Sequence, residues 1–143
     1  CRAACPLGAI FSFFNEIDEF SHANEDDVEM KPFVEGLKTA KAQLQDGAMW
    51  LMQNGMTNFD NAGAASHDFL DLFGITALTY MWAMMAKAAL AAKKSGGAGD
   101  PYFDTKLATG RYFLARALPD AGAHLAKLKS GADTVMALSA DAF

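Results

Sequence analysis

The 143-residue chain has few residues that could form a covalent or metal-bound framework. It holds two cysteines, Cys1 and Cys5, both at the N-terminus. A disulfide between them would close a loop too short to stabilise a fold, and two cysteines alone do not complete a zinc site. We expect both to be reduced thiols of a cytosolic protein. Packing rather than cross-linking must therefore hold the fold together.

Positive charge is also scarce. Lys and Arg total 12 against 17 Asp and Glu, which gives a formal net charge of −5, and Lys93-Lys94 is the densest basic pair. Phosphate binding needs clustered Lys and Arg side chains, so we expect no nucleic-acid partner. The apolar content of 52% is well above that of disordered chains. The chain can thus bury one core, and we predict a single helical domain over residues 1–143.

Motifs for catalysis and nucleotide binding are missing as well. No serine lies in a Gly-x-Ser-x-Gly setting, and the stretch SGGAG lacks the Gly-Lys-Ser/Thr ending of a phosphate loop. Glu19-x-x-His22 matches one ligand pair of a di-iron bundle, but neither His67 nor His124 has a glutamate three residues before it. We interpret the pair as a surface contact, and we assign no catalytic, cofactor-binding or metal-binding residue.

Two other histidines stand four residues from an aspartate. His67 precedes Asp71, and Asp120 precedes His124. Residues four apart are neighbours on a helix surface. Each pair is therefore predicted to interact along one helix face.

Helical spacing of apolar residues runs through the whole chain, whereas the alternation typical of strands never lasts more than a few residues. The pattern predicts helices over residues 7–24, 31–55, 61–94, 100–119 and 120–129. Gly55 is predicted to end the second helix in a left-handed conformation. Pro119 should kink or end the fourth, because proline lacks the N–H donor and clashes one turn back. We expect one more turn before Phe143.

The stretch LFGITALTYMWAMMAKAALAA, residues 72–92, has Lys87 as its only charge. It could be a membrane span, the central helix of a bundle or a helix that lines a cofactor. Its charge-free part, residues 72–86, is shorter than the roughly 20 residues that a bilayer requires. We therefore predict no membrane span, but an all-α, up-down bundle of four long helices with a kinked or broken fourth helix at Pro119. In this bundle the third helix is surrounded, and its methionines and Trp82 fill the core.

The order of these features resembles a known family segment. The apolar run FLDLFGITALTYMWAMMAKAAL is followed by a glycine linker and then by YFDTKLATGRYFLARALP, which contains Lys106, Tyr112-Phe113 and Leu118-Pro119. A last helix leads to SGADTVMAL and a terminal Phe143. Over residues 7–143 the chain resembles the C-terminal helical domain of long bacterial acyl-CoA dehydrogenases, the branch that includes the methylmercaptopropionyl-CoA dehydrogenase type.

The resemblance implies an accessory domain of a cytoplasmic flavoprotein of fatty acid metabolism. FAD and the acyl-CoA substrate would bind in a preceding catalytic core, which also carries the catalytic glutamate. No position here matches that residue, and no FAD is expected in this segment. The domain would pack on the core of its own chain and favour a homodimer. Because the chain starts with Cys1 rather than Met, we expect it to be a C-terminal fragment of a longer chain.

Two alternatives stay open. Glu19-x-x-His22 motivates a free-standing helical bundle that binds a small ligand or a metal. The size of the chain also suits a helical interaction module of a regulator or toxin system. The sequence leaves open which aromatic rings meet a partner surface; the candidates are Tyr80, Trp82, Tyr102, Phe103 and Tyr112.

Overall fold

Five α-helices follow one another in a computed structural model, which describes residues 8–97 and 99–142. They are α1 (Gly8–His22), α2 (Lys31–Asn54), α3 (Phe59–Ala92), α4 (Pro101–Arg116) and α5 (Asp120–Lys129). A π-helical turn, Lys93–Gly97, continues α3, and a 3-10 turn, Ala140–Ala142, lies in the tail. No strand occurs in the described ranges, so the all-α prediction is confirmed. The predictions for Cys1, Cys5 and the first residue of α1 fall outside these ranges.

Consecutive helices run in opposite directions. Asp18 of α1 contacts Lys41 of α2, and Glu25, seven residues later, contacts Lys38. Further along the chain, the Thr76 hydroxyl of α3 lies 3.3 Å from the Ala40 carbonyl oxygen of α2. The start of α1, the end of α2 and the start of α3 therefore share one end of the bundle.

The start of α3 is set by an asparagine cap. The Asn58 side chain accepts a hydrogen bond from the Asp60 amide at 3.0 Å, so α3 begins two residues earlier than predicted. The Asn61 side chain accepts a hydrogen bond from the Ala132 amide at 2.9 Å and so ties the segment after α5 to the start of α3. Asp100 caps α4 in the same way as Asn58 caps α3, with Pro101 in the first turn.

Gly55 ends α2, but the prediction of a left-handed conformation is wrong. Its φ of −76° is right-handed, and the left-handed glycine is Gly131 after α5, with φ of 69°. A β-carbon on Gly55 would lie 2.8 Å from the Leu51 carbonyl oxygen and 3.2 Å from the β-carbon of Ala62. Glycine is required here by the close approach of α2 to α3, not by backbone conformation.

The fourth predicted helix is broken at Pro119, as expected. The α4 helix ends at Arg116, residues 117–119 form a turn, and α5 begins at Asp120. The break lets the two segments bury different faces. Leu107 and Gly110 are buried from α4, whereas Ala121 and Leu128 are buried from α5.

The core consists of two clusters between the helices. One lies among α1, α2, α3 and α4, and its largest members include Ile17, Phe33, Leu37, Tyr80 and Leu107. In the other cluster, α5 and the turn before it pack against α1, α2 and α3. Its members include Phe14, Leu44, Leu72, Leu118 and Ala121. Each fully buried large apolar side chain contributes about 1.5–3 kcal/mol.

One side of α3 is not covered, so the prediction that this helix is surrounded is wrong for that side. Met81 and Met84, predicted to fill the core, are 50% and 42% exposed. Met85 and Trp82 are half-buried. The helices α2 and α5 pack behind α3, with α1 and α4 beside it, and none of the four reaches its outward side.

Candidate docking surface

The uncovered side of α3 is a continuous apolar strip, which we call the α3 face. Its residues are Leu70, Gly74, Ala77, Leu78, Met81, Met84 and Ala88. At 3.6 residues per turn they fall on one side of the helix, opposite the buried Leu72, Thr76 and Ala83. The strip is about 27 Å long at 1.5 Å per residue. Leu70 is 69% exposed and Leu78 52% exposed.

Aromatic pairs border the α3 face on both sides. On the α1 side, Phe73 stacks on Phe13 with ring centroids 5.4 Å apart. On the α4 side, Trp82 packs against Phe113 at 6.2 Å. These contacts hold α1 and α4 beside α3 and define the width of the strip.

The charges near the α3 face stand at its borders. The Lys87 ammonium lies 5.4 Å from the centre of the Phe20 ring, and Lys106 lies 6.0 Å from the Trp82 ring. Cations over aromatic rings are attracted by the ring face. An apolar centre with charges at its edge is the composition typical of a protein–protein contact surface.

Tyr80 fixes the α1 border. Its side chain is buried, and its hydroxyl donates a hydrogen bond to the Glu16 carboxylate at 2.9 Å. Burial, together with the bond to Glu16, raises the pKa of Tyr80 to about 12. The neutral phenol therefore persists at all physiological pH values and keeps α1 attached to α3.

A second apolar surface lies where α2 ends and α3 begins, and we call it the corner patch. It consists of Met49, Met52, Met56 and Phe59. Met49 and Met52 lie on the last turns of α2, Met56 lies in the turn that follows α2, and Phe59 is the first residue of α3. Met56 is 72% exposed and Phe59 81% exposed. Because of the up-down topology, this patch shares its end of the bundle with the start of α1.

The structure also answers which aromatic rings are accessible. Tyr102 and Tyr112 of α4 are exposed, whereas Tyr80 is buried. Trp82 and Phe103 are half-buried. The sequence could not separate these cases, because the exposure of each ring depends on how the helices pack against one another.

Glu19 and His22, the suspected ligand pair, are both exposed on α1. His22 Nδ1 lies 2.9 Å from a carboxylate oxygen of Glu25, so the surface contact that His22 makes is with Glu25 and not with Glu19. Lys38, and then His22, hold the pKa of Glu25 below its usual value. Within residues 8–97 and 99–142, no three His, Cys, Asp or Glu side chains form a group suited to a metal ion.

The two predicted histidine pairs have different outcomes. His67 Nε2 lies 3.3 Å from Asp71 Oδ2, which confirms that pair. The pairing of His124 with Asp120 is wrong, because His124 Nδ1 contacts Asp68 Oδ1 of α3 at 2.8 Å. The side chains of His124 and Asp68 are both less than one-fifth exposed, so the bond that joins α5 to α3 is largely shielded from solvent. Sequence spacing could not reveal a contact between residues 56 positions apart.

A hollow of about 170 Å³ lies between the α1–α2 loop and the end of α3. It is lined by Asn24, Asp27, Met30, Lys87, Leu90, Ala91 and Lys94. Pockets that enclose ligands of drug size measure about 300–1,000 Å³. This hollow is too small for FAD.

One helical stretch in the described ranges, Phe59–Gly97, is long and apolar enough to cross a membrane by length and composition alone. One third of its most apolar window is buried by the other helices. A core helix of a soluble protein passes the same test, so this finding is weak evidence for a membrane.

A helical bundle with uncovered apolar surfaces has candidate surfaces for contact with another protein. The chain belongs to the family described as acetyl-CoA dehydrogenase C-terminal like, whose sequence model matches residues 13–139. The family implies a domain within a larger dehydrogenase chain. A comparison with curated proteins gives no match.

Proposed function

We propose that this domain packs on the catalytic part of an FAD-dependent acyl-CoA dehydrogenase and shapes the homodimer of that cytoplasmic enzyme. Family membership supports a dehydrogenase as the parent chain. FAD would supply the redox chemistry of α,β-dehydrogenation when it is bound. Since the chain belongs to a family of C-terminal domains, we place the flavin, the acyl-CoA and the catalytic base in the catalytic part. The role of this domain is then to bind and position that part.

The corner patch is the observation that carries this proposal. A C-terminal domain is joined to the rest of its chain through its N-terminal end, which here is the start of α1. The corner patch lies at that same end of the bundle and exposes three methionines and one phenylalanine. Methionine side chains adapt to irregular partner surfaces. We therefore place the contact with the catalytic part at the corner patch.

The energetics favour a stable contact. A large apolar side chain contributes about 1.5–3 kcal/mol when a partner buries it completely. The two parts of one chain meet at a high effective concentration, so little of this gain is lost to the entropy of association. Met56 and Phe59 have the most to gain from such burial, because Met49 and Met52 are already about half-buried.

A charge placed in the corner patch tests the contact in the full-length enzyme. We expect Met56→Glu to detach the domain, because a carboxylate would be buried without a partner. Calorimetry should then show a separate unfolding transition, and proteolysis between the two parts should become faster. Val28→Glu is the matched control, because Val28 is 83% exposed in the α1–α2 loop at the opposite end. Equal behaviour of the two variants would remove the corner patch as the docking site.

The parent activity is tested separately. We expect the purified full-length chain to show the absorbance of oxidised flavin, and this absorbance should bleach when acyl-CoA is added. A full-length chain that binds no flavin would overturn the assignment to an FAD-dependent dehydrogenase, whatever the corner-patch variants do.

A further inference from the structure

We propose that the α3 face pairs with the α3 face of a second copy of this chain. The two helices would run antiparallel, with the two-fold axis near position 79. This inference rests on the proposed function, because it names the contact by which the domain shapes the homodimer. It assigns the α3 face to the second copy and leaves the corner patch to the catalytic part.

The spacing of the α3 face is that of a helix–helix seam. Six of its residues step alternately by four and three positions: Leu70, Gly74, Ala77, Met81, Met84 and Ala88. This alternation places side chains along a line that stays in contact with a second helix crossing at about 20°.

The sizes of the side chains favour an antiparallel partner with the same sequence. In a two-fold antiparallel seam, residue i of one copy faces residue j of the other, and j faces i. With the axis near position 79, Leu70 faces Ala88, Gly74 faces Met84, and Ala77 faces Met81. Each layer then joins one large and one small side chain. Such pairing gives the even packing density of a protein interior.

A parallel seam in register fits much worse. It would set Gly74 against Gly74 and Met81 against Met81, so that layers of two small side chains stand beside layers of two large ones. Small voids lose contacts and extra methylenes force strain, so both reduce stability. The order of large and small residues along α3 therefore selects the antiparallel arrangement.

Space and charge on the α3 face agree with this pairing. A β-carbon on Gly74 would meet no atom within 4 Å, so the facing Met84 of the second copy has room above it. None of the six seam residues is charged, and Leu78 would lie beside the axis against its own copy. Lys87 and Lys106 stay at the borders, where they remain in contact with water.

Cysteine pairs test the register in the full-length enzyme. Two copies with different affinity tags are coexpressed, with Cys1, Cys5 and any other cysteine replaced by serine. We expect Ala77→Cys on one copy and Met81→Cys on the other to form an intermolecular disulfide under mild oxidation, as should Leu70→Cys with Ala88→Cys. The off-register combination of Ala77→Cys with Leu70→Cys is the matched control and should stay reduced.

The outcomes separate the possible occupants of the α3 face. In-register links without off-register links support the proposal. Cysteines that form no link but resist a thiol reagent would overturn it in favour of the catalytic part as occupant. Cysteines that form no link and react quickly would overturn it by leaving the face uncovered. Bound flavin is measured on the same samples, so the failure of the seam and the failure of the dehydrogenase assignment appear independently.

A substitution in one seam layer supplies a second test. Gly74→Leu should weaken the dimer on the order of 10- to 100-fold, because leucine overfills the layer that holds Met84 of the second copy. Ala42→Leu is the control, because Ala42 is exposed on α2, which packs behind α3 and away from the seam. Sedimentation of the full-length enzyme measures dissociation. Equal dissociation constants for the two variants would contradict the seam.

Discussion

Gly110 offers the sharpest test of how α4 packs. A β-carbon at this position would lie 2.8 Å from Phe33 Cε1 and 3.3 Å from Trp82 Cε3. Phe33 is fully buried, so its ring has little room to move away. The helix α4 can approach α2 and α3 this closely only because residue 110 has no side chain.

Two opposing effects decide the outcome of Gly110→Ala. Alanine is the better helix former, which favours the variant by about 1 kcal/mol. The added methyl group overfills the core, which costs about 1–3 kcal/mol. With a central value of about 2 kcal/mol for overfilling, the free energy of unfolding should fall by about 1 kcal/mol.

Gly63→Ala separates the two effects, because a β-carbon at Gly63 meets no atom within 4 Å. This control keeps the gain in helix propensity, so it should raise the free energy of unfolding by about 1 kcal/mol. Urea unfolding followed by circular dichroism measures both variants. The expected gap is therefore about 2 kcal/mol. If Gly110→Ala stabilised the chain as much as Gly63→Ala, the described contact of α4 with Phe33 would be refuted.

Three further predictions concern single contacts. Because the pKa of Tyr80 rises from 10.0 to about 12 on folding, the free energy of unfolding should fall as the pH increases between these values. Tyr80→Phe should abolish this fall. Urea unfolding at a series of pH values measures it, and an equal fall in the Tyr80→Phe variant would contradict the prediction. Asp68→Ala should cost about 1–3 kcal/mol, because His124 loses its partner in a partly buried site; thermal unfolding no different from the parent chain would contradict this. Asn58→Ala should cost about 1 kcal/mol through loss of the cap on α3, and a thermal midpoint that does not change would show that the cap contributes little.

The sequence predicted local structure well, since local signals determine it. Three features depend only on residues within one helical turn of the feature itself. They are the break at Pro119, the start of α4 at Asp100-Pro101 and the end of α5 before Gly131. Gly55 shows the limit of such signals. Its place at the end of α2 was predicted, but its right-handed conformation and the nearby Ala62 of α3 were not.

The surfaces were harder to predict, because coverage is a property of all the helices together. A stretch without charge, such as residues 72–86, looks the same whether neighbours surround it or cover one side only. Met81 and Met84 were therefore placed in the core, although both are exposed. The contact of His124 with Asp68 was missed for a related reason, since α5 meets α3 only after the break at Pro119 reorients the chain.

The account gives each uncovered surface a different occupant. The corner patch lies near the start of α1, where the remainder of a dehydrogenase chain would be joined. The α3 face has the spacing and the alternation of large and small residues that suit its own copy. A domain with both contacts would link two catalytic parts without taking part in the chemistry.

Thiol labelling of the corner patch tests the central claim most directly. Met56→Cys is introduced into the full-length enzyme and into the 143-residue chain, with Val28→Cys as the control, and all other cysteines are replaced by serine. We predict that Met56→Cys reacts quickly in the 143-residue chain and slowly in the full-length enzyme, whereas Val28→Cys reacts quickly in both. Equal labelling rates for Met56→Cys in the two proteins would contradict the account, because the catalytic part would then leave the corner patch uncovered.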